Sequence, residues 1–148
     1  MTLHLIKLCV GADSVEDLEA WIAGRMAEAR ARGREPEQKH TTRMVPKRLD
    51  GLLGRDGSPG GSLYWVIKGV VQCRQRLLDV RPFVDTDGIG RCDLILEPTV
   101  ILTEPRPRGP FQGWRYLEAK DAPRDLMSRE TQHLPPQLMR ELATLGLL

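Results

Sequence analysis

The sequence predicts an α+β domain in which a mainly antiparallel β-barrel carries one helix near each end of the chain. Residues 63–76 and 91–103 alternate apolar and polar side chains almost without error, which is the period-two pattern of strands. Helical patterns lie towards the two ends, and strand patterns lie between them. Strands this long in so small a domain must curl, so we expect a closed or nearly closed barrel.

The size and composition of the chain fit one globular domain that spans residues 1–148. With 148 residues, 41% of them apolar and 28% charged, the chain can bury its own core and is not largely disordered. Cys9, Cys73 and Cys92 fall in apolar strand patterns, so we expect reduced core thiols. The sequence has neither a long apolar run for a bilayer nor a secretory leader, which favours the cytoplasm and excludes a membrane partner.

The first elements are a strand over residues 3–10 and a helix that follows it. Ser14 and Asp17 resemble a capping box, and the acidic residues of the first turn suit the positive end of a helix. The apolar residues then recur at helical spacing to about residue 32, and Gly33 ends the helix. This part of the sequence therefore predicts a strand packed with one long helix.

The middle of the chain leads into the two long strands. Residues 40–45 predict a strand that ends before Pro46, and this proline can begin a short helix. The glycine-rich residues 54–61 then form a loop before the strand at 63–76. This loop lacks the lysine-serine ending of a phosphate-binding loop and precedes a strand, so it predicts no nucleotide-phosphate motif.

The last third of the chain contains a turn, a strand and a helix. Residues 105–110 are rich in proline and arginine and predict an exposed turn, because proline cannot donate to an interior ladder. Residues 111–117 predict a further strand, and residues 121–135 look irregular. A C-terminal helix is expected from about Pro136. Its apolar stripe comprises Leu138, Met139, Leu142 and Leu145.

The outward side of the first long strand is basic and is a candidate ligand surface. Lys68, Arg74 and Arg76 share this side, and the two arginines lie about 7 Å apart if the strand is regular. Two guanidinium groups so placed can hold a phosphate or a carboxylate with forked donors. Pairing across the sheet with Asp93 or Glu97 is the alternative, and it would neutralise the same arginines.

A second group of candidate residues combines guanidinium groups with aromatic rings near the last strand. Such a mixture suits single-stranded nucleic acid or a flipped base, which needs both charge contacts and stacking. The alternative is that Phe111 and Trp114 are core residues that fill one end of the barrel. The group consists of Arg106, Arg108, Trp114, Arg115 and Tyr116.

A third group lies where the middle strand leads into the short helix. His40, Thr42, Arg43 and Lys47 bring a histidine, a hydroxyl group and two cations close together in the sequence. An anion can bind where backbone amides point out of a helix start. In the alternative interpretation, the threonine is an ordinary strand residue and the cations are solvated.

Several stretches of the sequence resemble an uncharacterised bacterial family, domain of unknown function 1489. They are HLIKLCVGADSVEDLEAW (4–21), TRMVPKR (42–48), SLYWVIKGVVQCRQRLLDV (62–80) and LTEPRPRGPFQGWRYL (102–117). A weaker similarity, through IKG at 67–69 with Arg74 and Arg76 and then the strand at 92–96, links the chain to the PUA, ASCH and EVE group of small barrels. Many of those barrels bind RNA or modified bases, so the similarity implies a PUA-like barrel that binds RNA.

These observations favour a non-catalytic binding module for RNA or a modified nucleotide on a basic, aromatic-edged face. One alternative is an enzyme for a small phosphorylated or nucleotide substrate, with His40 as proton-transfer group and Arg43, Arg74 and Arg76 as the anion clamp. Another is a protein-interaction domain that uses the C-terminal helix. Catalysis is disfavoured because buried thiols are inert and no nucleophile elbow is present. The histidines are isolated, so no metal or other cofactor is expected.

Overall fold

The computed structural model describes residues 1–126, which contain one seven-stranded sheet and two α-helices. The predicted C-terminal helix lies outside the described residues. In the part that is described, neither helix is long and apolar enough to cross a bilayer. The elements are β1 (Leu3–Leu8), α1 (Val15–Ala31), β2 (Gln38–Thr42), α2 (Leu49–Leu53), β3 (Ser62–Ile67), β4 (Val70–Val84), β5 (Gly90–Leu96), β6 (Ile101–Pro107), β7 (Trp114–Glu118) and a 3₁₀ turn (Ala119–Asp121).

The sheet is open, and the predicted closed barrel is wrong. The strand order is β2-β5-β4-β3-β1-β7, with β6 also paired to β4, and no ladder within residues 1–126 joins β2 to β7. Among the strands of residues 1–126, β1 and β3 run parallel and the other pairs are antiparallel. The expectation of a barrel assumed two long uninterrupted strands that had to curl. Both runs are interrupted. β4 is still 15 residues long, but it pairs with β3 and β6 along its first half and with β5 along its second half, so its length does not require a closed barrel.

A tight hairpin divides the first predicted strand into β3 and β4. Lys68 and Gly69 have φ angles of 52° and 76°, and Ile67 pairs with Val70 on either side of them. Two successive residues with positive φ are typical of the turns that join antiparallel strands through two residues. β4 then extends to Val84, well beyond the predicted end of the strand.

The second predicted strand is also divided, here into β5 and β6. Both halves pair with β4, β5 along its later residues and β6 along Val70–Arg74. The backbone carbonyl of Glu97, between the two halves, accepts a hydrogen bond of 2.9 Å from the Gln75 side chain. β6 continues to Pro107, which pairs with Val70, so the first residues of the predicted exposed turn belong to a strand.

Helix α1 covers one face of the sheet. The Ser14 side chain accepts a hydrogen bond from the Asp17 backbone N–H at 3.1 Å, which is the predicted N-cap. Val15, Leu18, Ile22 and Met26 are buried and join the main core, which also contains Leu5, Leu63, Trp65, Leu94 and Leu96. Burial of each large apolar side chain of this kind stabilises the fold by about 1.5–3 kcal/mol.

The opposite face of the sheet is also buried along β3. A second cluster contains Ile6, Tyr64, Val66, Val71 and Leu117. All six residues of β3 are buried, as expected for a central strand that is covered on both faces. Val66, Val70 and Gln72 alternate with Arg74 and Arg76 in the sequence at even spacing, on the side predicted to face solvent, yet they are 2%, 0% and 3% exposed. The predicted basic surface over this part of the sheet is therefore wrong.

Candidate functional site

A cavity of about 140 Å³ lies between α1 and the sheet. Strands β1, β2 and β3 line one side of it, and α1 lines the other. Most of its lining is apolar, but a few polar side chains converge on it, which is the usual composition of a small-ligand site. The polar lining residues are Lys7, Cys9, Arg25, Gln38 and His40; the aromatic ones are Trp21 and Trp65.

Gln38 and His40 bring unpaired polar atoms to this cavity. They lie two residues apart in β2, opposite Leu96 and Leu94, and so face the α1 side of the sheet. Gln38 is 5% exposed. Among the described residues, neither its Oε1 atom nor His40 Nε2 has a hydrogen-bond partner. Because most buried polar atoms in native proteins are hydrogen-bonded, two unpaired atoms in one cavity indicate a ligand site.

The His40 ring lies in a largely apolar environment. It packs edge-on against Trp65, with ring centroids 4.9 Å apart and an interplanar angle of 90°. Burial, together with the positive charges of Lys7 and Arg25, lowers the pKa of His40 from 6.5 to about 4. The imidazole is therefore neutral at pH 7, with one ring nitrogen that donates and one that accepts.

The cavity carries positive charge that its own lining does not balance. Lys7 and Arg25 line it, whereas no aspartate or glutamate does. Neither cation forms an ion pair within residues 1–126. Burial lowers the pKa of Lys7, because the charged ammonium is partly removed from water. The arrangement suits a ligand that carries negative charge next to a polar ring.

The cysteine of the cavity is not an activated nucleophile. Burial raises the pKa of Cys9 to about 11, so the thiol stays protonated at neutral pH. The other two thiols, of Cys73 and Cys92, are fully buried, as predicted for core residues. Over the described range, no group of three His, Cys, Asp or Glu side chains is placed to hold a metal ion.

The aromatic residues of β7 lie away from this cavity and hold the connection before α2. Trp114 is 5% exposed, and its Nε1 donates to the Met44 carbonyl at 2.8 Å. The Tyr116 hydroxyl accepts hydrogen bonds from the backbone N–H groups of Lys47 and Arg48, at 2.9 and 3.2 Å. Trp114 thus occupies the core, as in the alternative interpretation of the sequence.

The third predicted group is divided between the cavity and this connection. His40 lines the cavity. Thr42 is buried, and its hydroxyl donates to the Met44 carbonyl at 3.0 Å. Arg43 is exposed just after β2, and Lys47 contributes its backbone N–H to Tyr116. Only the histidine of this group therefore reaches the site.

The candidate arginine pair is engaged by carboxylates. Arg74 makes two hydrogen bonds of 2.8 Å to Asp125 and a third to the Ser62 hydroxyl, so its fork of donors is occupied. Arg76 lies 3.9 Å from Glu97, which is the cross-strand pair weighed from the sequence. In the turn between β3 and β4, Lys68 contacts Asp13 at 2.8 Å.

The histidine and this arginine pair lie on opposite faces of the sheet. His40 packs against Trp65, whereas Arg74 is the register partner of Tyr64, and adjacent residues of β3 point to opposite faces. The enzyme hypothesis required both groups in one cleft. The structure does not bring them together.

Two of the three remaining predicted arginines lie against the Phe111 ring. The guanidinium carbons of Arg108 and Arg115 lie 4.9 and 5.7 Å from the centre of its ring. Arg106 donates to the Asp121 carbonyl, and with Arg108 it lines a separate concavity of about 340 Å³. Glu118 and Asp121 line the same concavity, so the formal charges of its lining cancel. The three groups of cations therefore do not share one hollow.

The chain was compared with protein families, curated proteins and solved structures. The model of a family described as Protein of unknown function (DUF1489) matches residues 5–148. The chain belongs to this family. The predicted resemblance to the family is thus confirmed, and the match includes every residue that lines the cavity. No curated protein and no solved structure matches the chain, and similarity to the PUA, ASCH and EVE barrels is not shown.

Of the described residues that line the cavity, His40 alone was a predicted site residue, and four of the others bear directly on ligand binding. They are Lys7, Trp21, Arg25 and Gln38. Gln38 lies two residues before His40, and residues at this spacing in a strand point to the same face of the sheet. Lys7 is a charged residue inside an otherwise apolar strand. Both patterns were present in the sequence and could have identified these residues.

Proposed function

We propose that this protein is a non-catalytic binding module for RNA or a modified nucleotide, with a base held in the cavity between α1 and the sheet. The unpaired Oε1 atom of Gln38 carries the proposal. It is a buried acceptor without a partner in the described part of the chain, and it faces a cavity that also contains an unpaired nitrogen of His40. The N–H groups and ring nitrogens at the edge of a base would satisfy both atoms.

The size of the cavity supports a base as the inserted group. Sites that enclose a whole small molecule usually measure about 300–1,000 Å³. A cavity of about 140 Å³ has room for a single flat ring system but leaves a sugar and a phosphate outside. Proteins that read a flipped base enclose the ring in this way, next to aromatic side chains such as Trp65.

The charge of the site supports a nucleotide over a neutral ring. Lys7 and Arg25 provide two cations at the cavity, and no carboxylate lines it. A phosphate attached to the inserted nucleotide would neutralise this charge and release counterions. Cys9 is protonated and His40 is neutral at pH 7, which supports binding over nucleophilic catalysis.

Binding of short, fluorescently labelled single-stranded RNA of random sequence tests the proposal. We expect Gln38→Leu to weaken binding about tenfold or more, because it removes an acceptor worth about 1.4 kcal/mol or more to the complex. Lys7→Met should weaken binding and reduce the slope of log K against log salt by about 0.7, the value for one phosphate contact in a single strand.

Lys120→Met is the matched control for charge. It removes one lysine that does not line the cavity and contacts Glu118 at 3.5 Å. We expect it to leave the salt slope unchanged. Equal slopes for the Lys7 and Lys120 variants would contradict the proposed phosphate contact, and absence of RNA binding at any salt concentration would end the proposal.

A further inference from the structure

We infer that the ligand is a nucleic-acid strand rather than a free nucleotide, and that Trp21 stacks the base next to the one in the cavity. This inference rests on the proposed function. Trp21 lines both the cavity and a shallow groove on the outer side of α1, and it is 41% exposed. An exposed indole beside the mouth of a base-sized cavity is a stacking surface.

The Trp21 ring lies against the connection between β1 and α1. A Cβ atom at Gly11 would lie 3.3 Å from Cη2 and 4.0 Å from Cζ2 of the indole, so the ring rests against the connection between β1 and α1. Gly11 has a φ of 90°, a conformation that suits glycine, and the connection can therefore approach the ring closely. This support fixes the ring while a large part of its surface faces solvent.

The groove next to Trp21 has room for a second base. Ala20 and Gly24 lie one helical turn apart and give the groove a flat floor. An added Cβ atom at Gly24 would meet no atom within 4 Å, so the space above this residue is open. Val10, at the rim, is 82% exposed and extends the apolar surface beside the ring.

Arg25 lies where the two bases would be joined. It lines the cavity and the groove, so the phosphate between an inserted base and a stacked base would pass close to its guanidinium group. The concavity on the other side of Arg25 is less suitable for a strand. It is lined by Glu35 and Glu37, which repel phosphate, as well as by Arg34 and Lys39. Glu28 lines both this concavity and the groove, and its carboxylate is paired with Arg32 at 2.9 Å. The nucleic-acid strand should therefore run from the cavity into the groove beside Trp21.

Two ligands distinguish the inference from the proposed function. Nucleoside 5′-monophosphates can fill the cavity but cannot reach the groove, whereas short single-stranded RNA of random sequence can occupy both. We expect the RNA to bind more tightly than the monophosphates. Trp21→Ala should weaken RNA binding about 5- to 100-fold, the effect of losing one base–aromatic stack. It should weaken monophosphate binding by a smaller factor, because Trp21 also lines the cavity. Trp21→Phe should restore part of the loss.

Gly24→Leu is a second variant that does not depend on Trp21. Leucine favours the helix over glycine, so the variant should fold at least as well as the natural chain. The leucine side chain would fill the groove, so this variant should bind RNA more weakly and should bind the monophosphates as the natural chain does. Equal losses for both ligands in Trp21→Ala, or RNA that binds no more tightly than the monophosphates, would overturn the inference and leave the proposed function intact. Failure of both ligands to bind would overturn both.

Discussion

Replacing Gln38 by leucine should stabilise the protein although it removes a polar side chain. Gln38 is 5% exposed, and its Oε1 atom has no hydrogen-bond partner in the described part of the chain. A buried acceptor without a partner costs about 1–3 kcal/mol. Leucine has a similar size and removes this cost, while some packing of the amide is lost. We therefore expect the free energy of unfolding to rise by about 1–2 kcal/mol.

Gln75 provides a matched control for this prediction. It is fully buried, its Oε1 accepts from Trp65 Nε1 at 2.9 Å, and its Nε2 donates to the Glu97 carbonyl at 2.9 Å. Gln75→Leu makes the same chemical change but leaves these two partners unpaired. At about 1–3 kcal/mol for each partner, the free energy of unfolding should fall by about 2–6 kcal/mol. The two substitutions should thus change stability in opposite directions.

Urea unfolding followed by tryptophan fluorescence measures both effects in the absence of ligand. The slope of free energy against urea should stay the same, so the changes appear in the midpoints. If Gln38→Leu lowers the midpoint as Gln75→Leu does, the Gln38 amide is satisfied in the folded protein. The argument for a ligand at this position would then fail.

Two further predictions concern charge. The pKa of His40 falls from 6.5 in the unfolded chain to about 4 when folded, so the unfolded chain binds the proton first and stability is lost as the pH falls from 6.5 towards 4. When the pH falls from 7.5 to 4.5, the free energy of unfolding measured in urea should fall by about 2 kcal/mol more for the natural chain than for the His40→Gln variant. Equal falls for the two proteins would contradict this. Arg74→Met should cost about 2–3 kcal/mol, because it breaks charged hydrogen bonds to Asp125; a change below about 0.5 kcal/mol in the same assay would show that the pair is not stabilising.

The elements that the sequence predicted well depend on local interactions. The Ser14 cap of α1 involves residues three apart, and it was visible in the sequence. The hairpin at Lys68 and Gly69 was missed because a two-residue turn leaves the alternation of side chains intact on both sides. Closure of the sheet depends on pairing between strands far apart in the chain, and no local pattern specifies that pairing.

The candidate site was predicted only in part for a related reason. His40 was identified by its residue type, but the cavity combines residues of β1, α1, β2 and β3. The ion pair of Arg74 joins residues 51 positions apart, so strand register could not reveal it. Trp114 and Tyr116 looked like a stacking surface, yet their polar atoms bind the backbone at residues 44–48. In each case, what the side chain does depends on a residue that is distant in the sequence and close in the folded structure.

The position of β1 sets the order in which the protein can fold during synthesis. This strand lies between β3 and β7, where Leu5 pairs with Leu63 on one side and with Tyr116 on the other. The ribosome makes β1 before both of its neighbours, and β7 emerges more than a hundred residues after β1. Until then, the apolar residues Leu3, Leu5 and Ile6 have no complete binding site, and a nascent chain in this state exposes surface on which chaperones act.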